Sequence, residues 1–245
     1  MLSNQPLTPA GISQVCITDP FWSKVMETVR TKMIPYQCEA LNDRIEEAEP
    51  SHCIENFKIA GKITKNAAKG IYERDAHDKF QGFVFQDSDL AKWIEAVGYS
   101  LMNHRDEKLE AIADDAITII CEAQQPDGYL DTYYILHGLE NRFTNLRDHH
   151  ELYCLGHFIE GAVSYYQATG KDKLLNAVKK YADLVDRTFG PEPGKKKGYP
   201  GHEIIEMALV RLYEVTNEKR YLNLAKYFID ERGKAPNYFA QEAVI

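Results

Sequence analysis

The densest group of side chains able to do chemistry is Asp148-His149-His150-Glu151-Leu-Tyr-Cys154-Leu-Gly-His157. Inside a helix, His150 and Cys154 would stand four residues apart and Cys154 and His157 three apart, so all three can share a face. That face permits a metal site, although no fourth ligand is specified. Two other readings fit the same residues. Asp148 or His149 can cap a helix start, where free amide protons need acceptors, or the cluster can line the rim of a ligand cavity.

A second cluster, Gly198-Tyr-Pro-Gly201-His202-Glu-Ile-Ile-Glu206, uses a Pro-Gly turn to deliver His202 to the first turn of another helix. His202 either caps that helix or joins His150 at one end of the molecule, where imidazoles would exchange hydrogen bonds with sugar hydroxyls near neutral pH. The third is Phe83-Val-Phe-Gln86-Asp87-Ser88-Asp89. Asp87 or Ser88 can cap a helix there. Gln86 or Asp87 can also lie beside the two histidines against a ligand, and paired carboxylates suit glycosidic acid/base chemistry when their separation is right. Gly190 to Lys195 lacks the spacing and the Ser/Thr of a phosphate-binding loop. Neither a Gly-x-Ser-x-Gly elbow nor a His-Glu-x-x-His motif occurs.

The elements that must position these groups are helical. Leu90, Trp93, Ile94, Val97 and Leu101 share one face, and Leu109, Ile112, Ala113, Ala116, Ile119 and Ile120 repeat the pattern. Leu152, Leu155, Ile159, Ala162, Val163 and Tyr166 pair with Leu174, Leu175, Val178, Tyr181, Ala182 and Val185; the far face of that last helix carries Lys173, Asn176, Lys179, Lys180, Asp183 and Arg187, and should face water. A third pair runs through Ile205, Ala208, Leu209 and Leu212, then Tyr221, Leu222, Ala225, Phe228 and Ile229. Residues 168–183 lie over 215–230 at a constant offset of 47. Recurring helical hairpins bury their inner faces only by stacking, in a solenoid or a closed toroid. Before them, 1–20 read as an extended lead-in, 21–45 as one or two helices interrupted near Pro35, and 46–86 as an irregular connection. The expectation is one all-α domain over 1–245, part of an α/α toroid; about three pairs are too few to close one, so an N-terminal portion is expected, with apolar inner surface open to itself or to a C-terminal part.

Composition bounds the function. Among 245 residues, 29 Lys and Arg against 37 Asp and Glu leave a net charge of −8, which argues against a phosphate-backbone binder. Fifteen Tyr, ten Phe and two Trp suit sugar contacts or a bulky core. No stretch approaches a membrane helix, and no signal peptide is visible. Five cysteines at irregular spacing form neither a disulfide framework nor a zinc clip, so the cytoplasm is the expected compartment.

Taken in order, 85–99 (FQDSDLAKWIEAVGY), 123–133 (AQQPDGYLDTY), 144–157 (TNLRDHHELYCLGH), 165–171 (YYQATGK), 189–190 (FG), 198–202 (GYPGH) and 230–233 (DERG) resemble the β-L-arabinofuranosidase family, glycoside hydrolase family 127, with the match running from about Asn56 to Tyr238. The resemblance implies an (α/α)₆ barrel and a retaining, exo-acting hydrolase releasing terminal β-L-arabinofuranose from an arabinofuranoside. It implies a zinc-bound cysteine thiolate as nucleophile, a glutamate acid/base, and zinc held by three cysteines and a glutamate, all in the later half of the family's barrel. The five cysteines here fall outside those zinc motifs, so no catalytic or metal residue carries over, zinc is expected of the complete family enzyme only, and this chain alone is expected to be inactive. His150 and His202 match the family's sugar-binding histidines. The alternative is a non-catalytic helical-repeat module binding a glycan or a protein on its concave face.

Overall fold

The computed structural model describes residues 10–242. Of the expected lead-in, 1–9 lie outside the described residues, and the remainder is irregular apart from a 3₁₀ turn at Ile12–Gln14. Helix α1 (Pro20–Thr28) begins where its sequence says it can: Pro20 occupies the first helical position, and Asp19 Oδ1 accepts from the amides of Phe21 (3.0 Å) and Trp22 (2.8 Å). A widened π turn, Val29–Met33, leads into α2 (Ile34–Leu41). The interruption expected near Pro35 therefore takes the form of a local change of helical pitch beside a residue that has no amide proton to donate.

The expected irregular connection over 46–86 is corrected by α3 (Cys53–Ala67), which buries Cys53, Ile54, Phe57, Ala60 and Gly61. Gly61 reads as a breaker in sequence but serves close packing. A β-carbon there would come within 3.3 Å of Glu122 Cβ, at the end of α5 (Glu107–Ala123).

The three predicted pairs follow: α4 (Asp87–Asn103) with α5, α7 (Glu151–Thr169) with α8 (Lys173–Thr188), and α9 (Ile205–Thr216) with α10 (Lys219–Arg232). Short helix α6 (Thr132–His137) lies in the connection between α5 and α7, and α11 (Tyr238–Glu242) follows α10. Among the described residues the only extended pairing is an isolated bridge between Phe189 and Lys196. The fold is all-α. The offset-47 repeat is exact at the hairpin turns: Gly170 and Asn217 both follow the helix in the left-handed region and donate their amides to Tyr166 and Tyr213 carbonyls. The preceding Thr169 and Thr216 hydroxyls likewise donate to Tyr165 and Leu212 carbonyls.

Two layers result. Helices α4, α7 and α9 pack side by side as an inner layer, while α5, α8 and α10 neighbour one another outside it. Helix α2 closes onto α4, where Trp93 Nε1 donates to the Ile34 carbonyl at 3.0 Å. The outer α8 buries its apolar stripe and turns Lys173, Asn176, Lys180 and Arg187 to water, as its sequence requires. The α4–α7 seam is tight because both helices lack side chains where they cross. A β-carbon on Gly98 would lie 2.1 Å from Ser164 Oγ, and one on Gly161 would lie 2.7 Å from the Ala91 carbonyl oxygen.

Candidate carbohydrate-binding rim

The starts of the three inner helices gather at one end of the molecule. The His150 and His202 rings, from the starts of α7 and α9, have centroids 5.8 Å apart. Phe85, just before α4, lies 5.3 Å from His150. The positive ends of three helix dipoles thus lie toward one rim, a setting that favours oxygen-rich ligands.

His150 is not inside α7. It precedes the first turn with φ 60°, in the left-handed region that disfavours most side chains. Its Nδ1–H donates to the Asp148 carbonyl at 2.5 Å, which fixes the tautomer and leaves Nε2 as an acceptor. The i,i+4 geometry that would align His150 with Cys154 and His157 therefore does not arise. Neither Asp148 nor His149 caps α7: Asp148 pairs with Arg147 at 2.9 Å, and His149 Nδ1 bonds the Tyr134 hydroxyl at 2.7 Å.

His202 is exposed, three residues before α9, and long-range contacts hold it there. The Gly201 amide donates to the Leu146 carbonyl at 2.9 Å, and a β-carbon on Gly201 would collide with the Arg147 carbonyl oxygen at 2.0 Å. The Glu242 carboxylate accepts from the amides of Leu146 (2.7 Å) and Arg147 (3.1 Å) on the opposing loop. Arg232, at the end of α10, donates to the Pro200 carbonyl at 2.8 Å and pairs with Glu203 (3.1 Å) and Glu206 (3.2 Å). One guanidinium thus pins the whole 200–206 turn.

Gln86 and Asp87 lie beneath the rim, both buried. Gln86 accepts from the Phe83 amide (3.2 Å) and donates to Ser51 Oγ (3.2 Å) and Asp89 (3.0 Å). Asp87 accepts from the amide and the hydroxyl of Thr132, at 2.8 and 2.5 Å. Neither Asp87 nor Ser88 caps α4; Gln86 stands at the cap position and makes no side-chain cap bond. Asp87 neighbours two other buried acids. Asp131 caps α6 through the Tyr134 amide (3.1 Å), and Glu151 accepts from the Tyr129 hydroxyl (2.5 Å) and the Phe143 amide (2.8 Å). Burial raises all three carboxyls: Asp87 to about 6, Glu151 to about 8, and Asp131 well above its usual range, the last also through repulsion from the other two.

Between the histidines stands Tyr153, which the motif reading passed over. Its ring lies 5.6 Å from His150, 4.9 Å from His202 and 4.5 Å from His157. Lys92 donates to the Tyr153 hydroxyl and to Ser88 Oγ, both at 3.0 Å. Burial, and then the nearby Lys92 cation, lower His157 to about 4, so its ring is neutral at ordinary pH. The spacing Tyr153–His157 was a readable signal for a shared helical face; the distant clamp from Arg232 left none. A groove of about 600 Å³ lies toward the other end of α4, between α1 and α4, lined by Trp22, Met26, Ala96, Tyr99 and Asn103.

The described residues do not fit a zinc centre. No three of their His, Cys, Asp and Glu side chains are placed to hold a metal ion together. Cys154 is fully buried and its thiol is pushed well up by desolvation, and Cys53 donates to the Gln86 carbonyl. A thiolate ligand or nucleophile needs the opposite environment.

Fold and rim together define an all-α, double-layered helical-hairpin domain with histidines at the starts of its inner helices. Residues 14–244 match the β-L-arabinofuranosidase GH127 catalytic domain, and the chain belongs to that family. It is 43% identical over 232 residues to a non-reducing end β-L-arabinofuranosidase of Bifidobacterium longum subsp. longum, covering 93% of this chain and 35% of that protein. The crystal structure of a GH127 β-L-arabinofuranosidase from Geobacillus stearothermophilus T6 superposes with a TM-score of 0.86 at 52% identity, over 94% of this chain and 34% of that one. A further GH127 β-arabinofuranosidase gives 0.81 at 37% identity, over 96% of this chain and 36% of that one. The chain spans about a third of the length of these relatives.

Proposed function

We propose that this chain supplies the sugar-recognition rim of a retaining, exo-acting β-L-arabinofuranosidase, with His150 and His202 bonding the hydroxyls of a terminal L-arabinofuranose. The observation that carries this is the meeting of the two rings at 5.8 Å, with His150 Nε2 left free to accept. Gln86 and Asp87 act by holding the rim rather than by touching sugar, since their polar atoms are engaged within the protein. Hydrolysis would need a nucleophile and an acid/base that the described residues do not furnish, so the chain binds arabinofuranosides without cleaving them. Zinc belongs to the complete enzyme of the family in this reading.

The two layers are read as part of an (α/α)₆ barrel. Support comes from apolar side chains left exposed at both lateral edges: Met207 and Ile229 on α9 and α10, and Trp22 and Met26 on α1. Those edges would meet either further helices or another copy of the chain. Free cysteines, three of them buried, support a reducing compartment such as the cytoplasm. No helix of the described residues is long and apolar enough to cross a membrane.

The test is titration with methyl β-L-arabinofuranoside followed by imidazole NMR signals, beside an aryl arabinofuranoside assay. Shifts of His150 and His202 with no turnover are expected. Turnover by this chain, or binding that leaves both imidazoles unmoved, would overturn the reading.

A further inference from the structure

Phe83 is a large aromatic side chain left 67% exposed at the edge of the histidine rim. Its ring lies flat on Phe85, with centroids 5.3 Å apart and planes only 5° from parallel. Phe85 is half-buried and in turn sits 5.3 Å from His150. The three rings make a continuous ledge running outward from the position assigned to the terminal sugar.

The loop that carries the ledge is held firmly. Gly82 takes φ +97°, and a β-carbon there would approach Gln86 Oε1 to 2.9 Å. Gln86 closes the turn from both ends: its amide donates to the Phe83 carbonyl at 2.8 Å, and its side chain accepts from the Phe83 amide at 3.2 Å. The same side chain reaches Ser51 and Asp89, tying the loop to the segment before α3 and to the first turn of α4. A solvent-facing phenyl on a pinned backbone loses little freedom when a ligand settles on it, so binding there costs little ordering entropy.

We propose that Phe83, backed by Phe85, is the specificity-determining platform on which the sugar ring bearing the terminal arabinofuranose stacks. The chemistry is that of ring faces. Sugar C–H bonds carry partial positive charge and meet the negative face of an aromatic ring, while the sugar's hydroxyls stay in water at the edge. An exposed, flat, single-sided ledge suits that ligand better than a wholly apolar one, which would need an enclosing pocket. This inference rests on the assignment of His150 and His202 to the terminal sugar and adds the neighbouring position.

The experiment compares two probes on the same protein: methyl β-L-arabinofuranoside, and a disaccharide with β-L-arabinofuranose at its non-reducing end. Affinities are read by NMR titration, and saturation-transfer difference spectra show which ring of the disaccharide lies against the protein. The wild type should bind the disaccharide several-fold more tightly than the methyl glycoside, with strong saturation of the second ring. Phe83→Ala should erase that advantage and that saturation while leaving the methyl glycoside unchanged, and Phe83→Trp should restore both. Because Phe83 is exposed, Phe83→Ala should fold as the wild type does, checked by its melting curve. A disaccharide advantage that survives Phe83→Ala would overturn the platform and leave the histidine site standing. If neither probe binds the wild type, both assignments fall together.

Discussion

His150 and His202 lie 52 residues apart in the chain, yet their rings come within 5.8 Å. Three devices, none of them in the imidazoles themselves, produce this: the left-handed backbone at His150, the Gly201–Leu146 amide bond, and the Arg232 clamp on the Pro200 carbonyl. The rim is therefore a long-range product of the fold, and its parts can be removed separately.

The backbone at His150 separates recognition from stability. Asn tolerates the left-handed region better than most residues. His150→Asn should leave the melting temperature unchanged or slightly raised, yet weaken arabinofuranoside binding by roughly 2- to 12-fold, the loss of one hydrogen bond of about 0.5–1.5 kcal/mol. His202→Ala should show the same affinity loss with little change in melting. Lost stability with unchanged affinity would instead make these histidines structural.

The buried Glu151 predicts a pH dependence with a definite sign. Its folded value, about 8, exceeds its ordinary 4.5, so between those limits the native state holds a proton that the unfolded chain has released. Stability from this group is whole below about pH 4.5 and declines as pH rises toward 8, with a slope of up to about 1.4 kcal/mol per pH unit. Glu151→Gln removes the ionisation while keeping an oxygen for the Phe143 amide and an NH₂ for the Tyr129 oxygen. The melting temperature of the variant relative to wild type should therefore climb from pH 6 to pH 9. A difference that stays flat across that range would show that Glu151 is not the buried acid that titrates.

The α4–α7 seam should resist any added volume. Gly161→Ala would push a methyl group against the Ala91 carbonyl oxygen, a backbone atom with nowhere to go. Urea unfolding should report a loss of about 1–3 kcal/mol, the range for overpacked cores. The same change at Gly170, which has open space around it and a left-handed φ of +75°, should cost only its backbone strain, about 1 kcal/mol.

Deeper along the inner layer, Arg211 of α9 bonds Glu160 of α7 and the Tyr99 hydroxyl of α4 (3.0 Å), and Glu95 lies 3.8 Å from the same guanidinium. Glu160 is buried, and its second oxygen has no hydrogen-bond partner. Arg211→Met should cost about 3 kcal/mol by leaving a buried carboxylate uncompensated. Adding Glu160→Gln should recover much of that loss. Equal and additive losses in the double variant would mean that the two side chains do not act as a pair.

The inner and outer helices were legible because their apolar stripes keep a 3.6-residue period over many turns, and the repeat at offset 47 extends down to the αL residues Gly170 and Asn217. Helix α3 was not, because its buried face includes Gly61 and Asn56, residues that signal turns unless the partner surface is known. At the rim, sequence points to both histidines, and one of its three readings sets His150 inside the helix with Cys154 and His157 beside it. A single left-handed residue undoes that register. Gln86 and Asp87 are expected against a ligand from their position, but their bonds run to Phe83, Ser51 and Thr132, partners that local spacing does not reveal.

The order of packing in the inner layer has a consequence for how the protein is made. Helix α7 docks on α4, and α9 docks on α7, so each inner helix finds its partner already synthesised. A polypeptide leaving the ribosome from its N-terminus can then accrete structure one hairpin at a time, without waiting for a distant segment to complete a pairing. The histidine rim is the exception to that local growth. It assembles only when Arg232 has emerged to seize the turn that carries His202, after the inner helices that frame it have already been made.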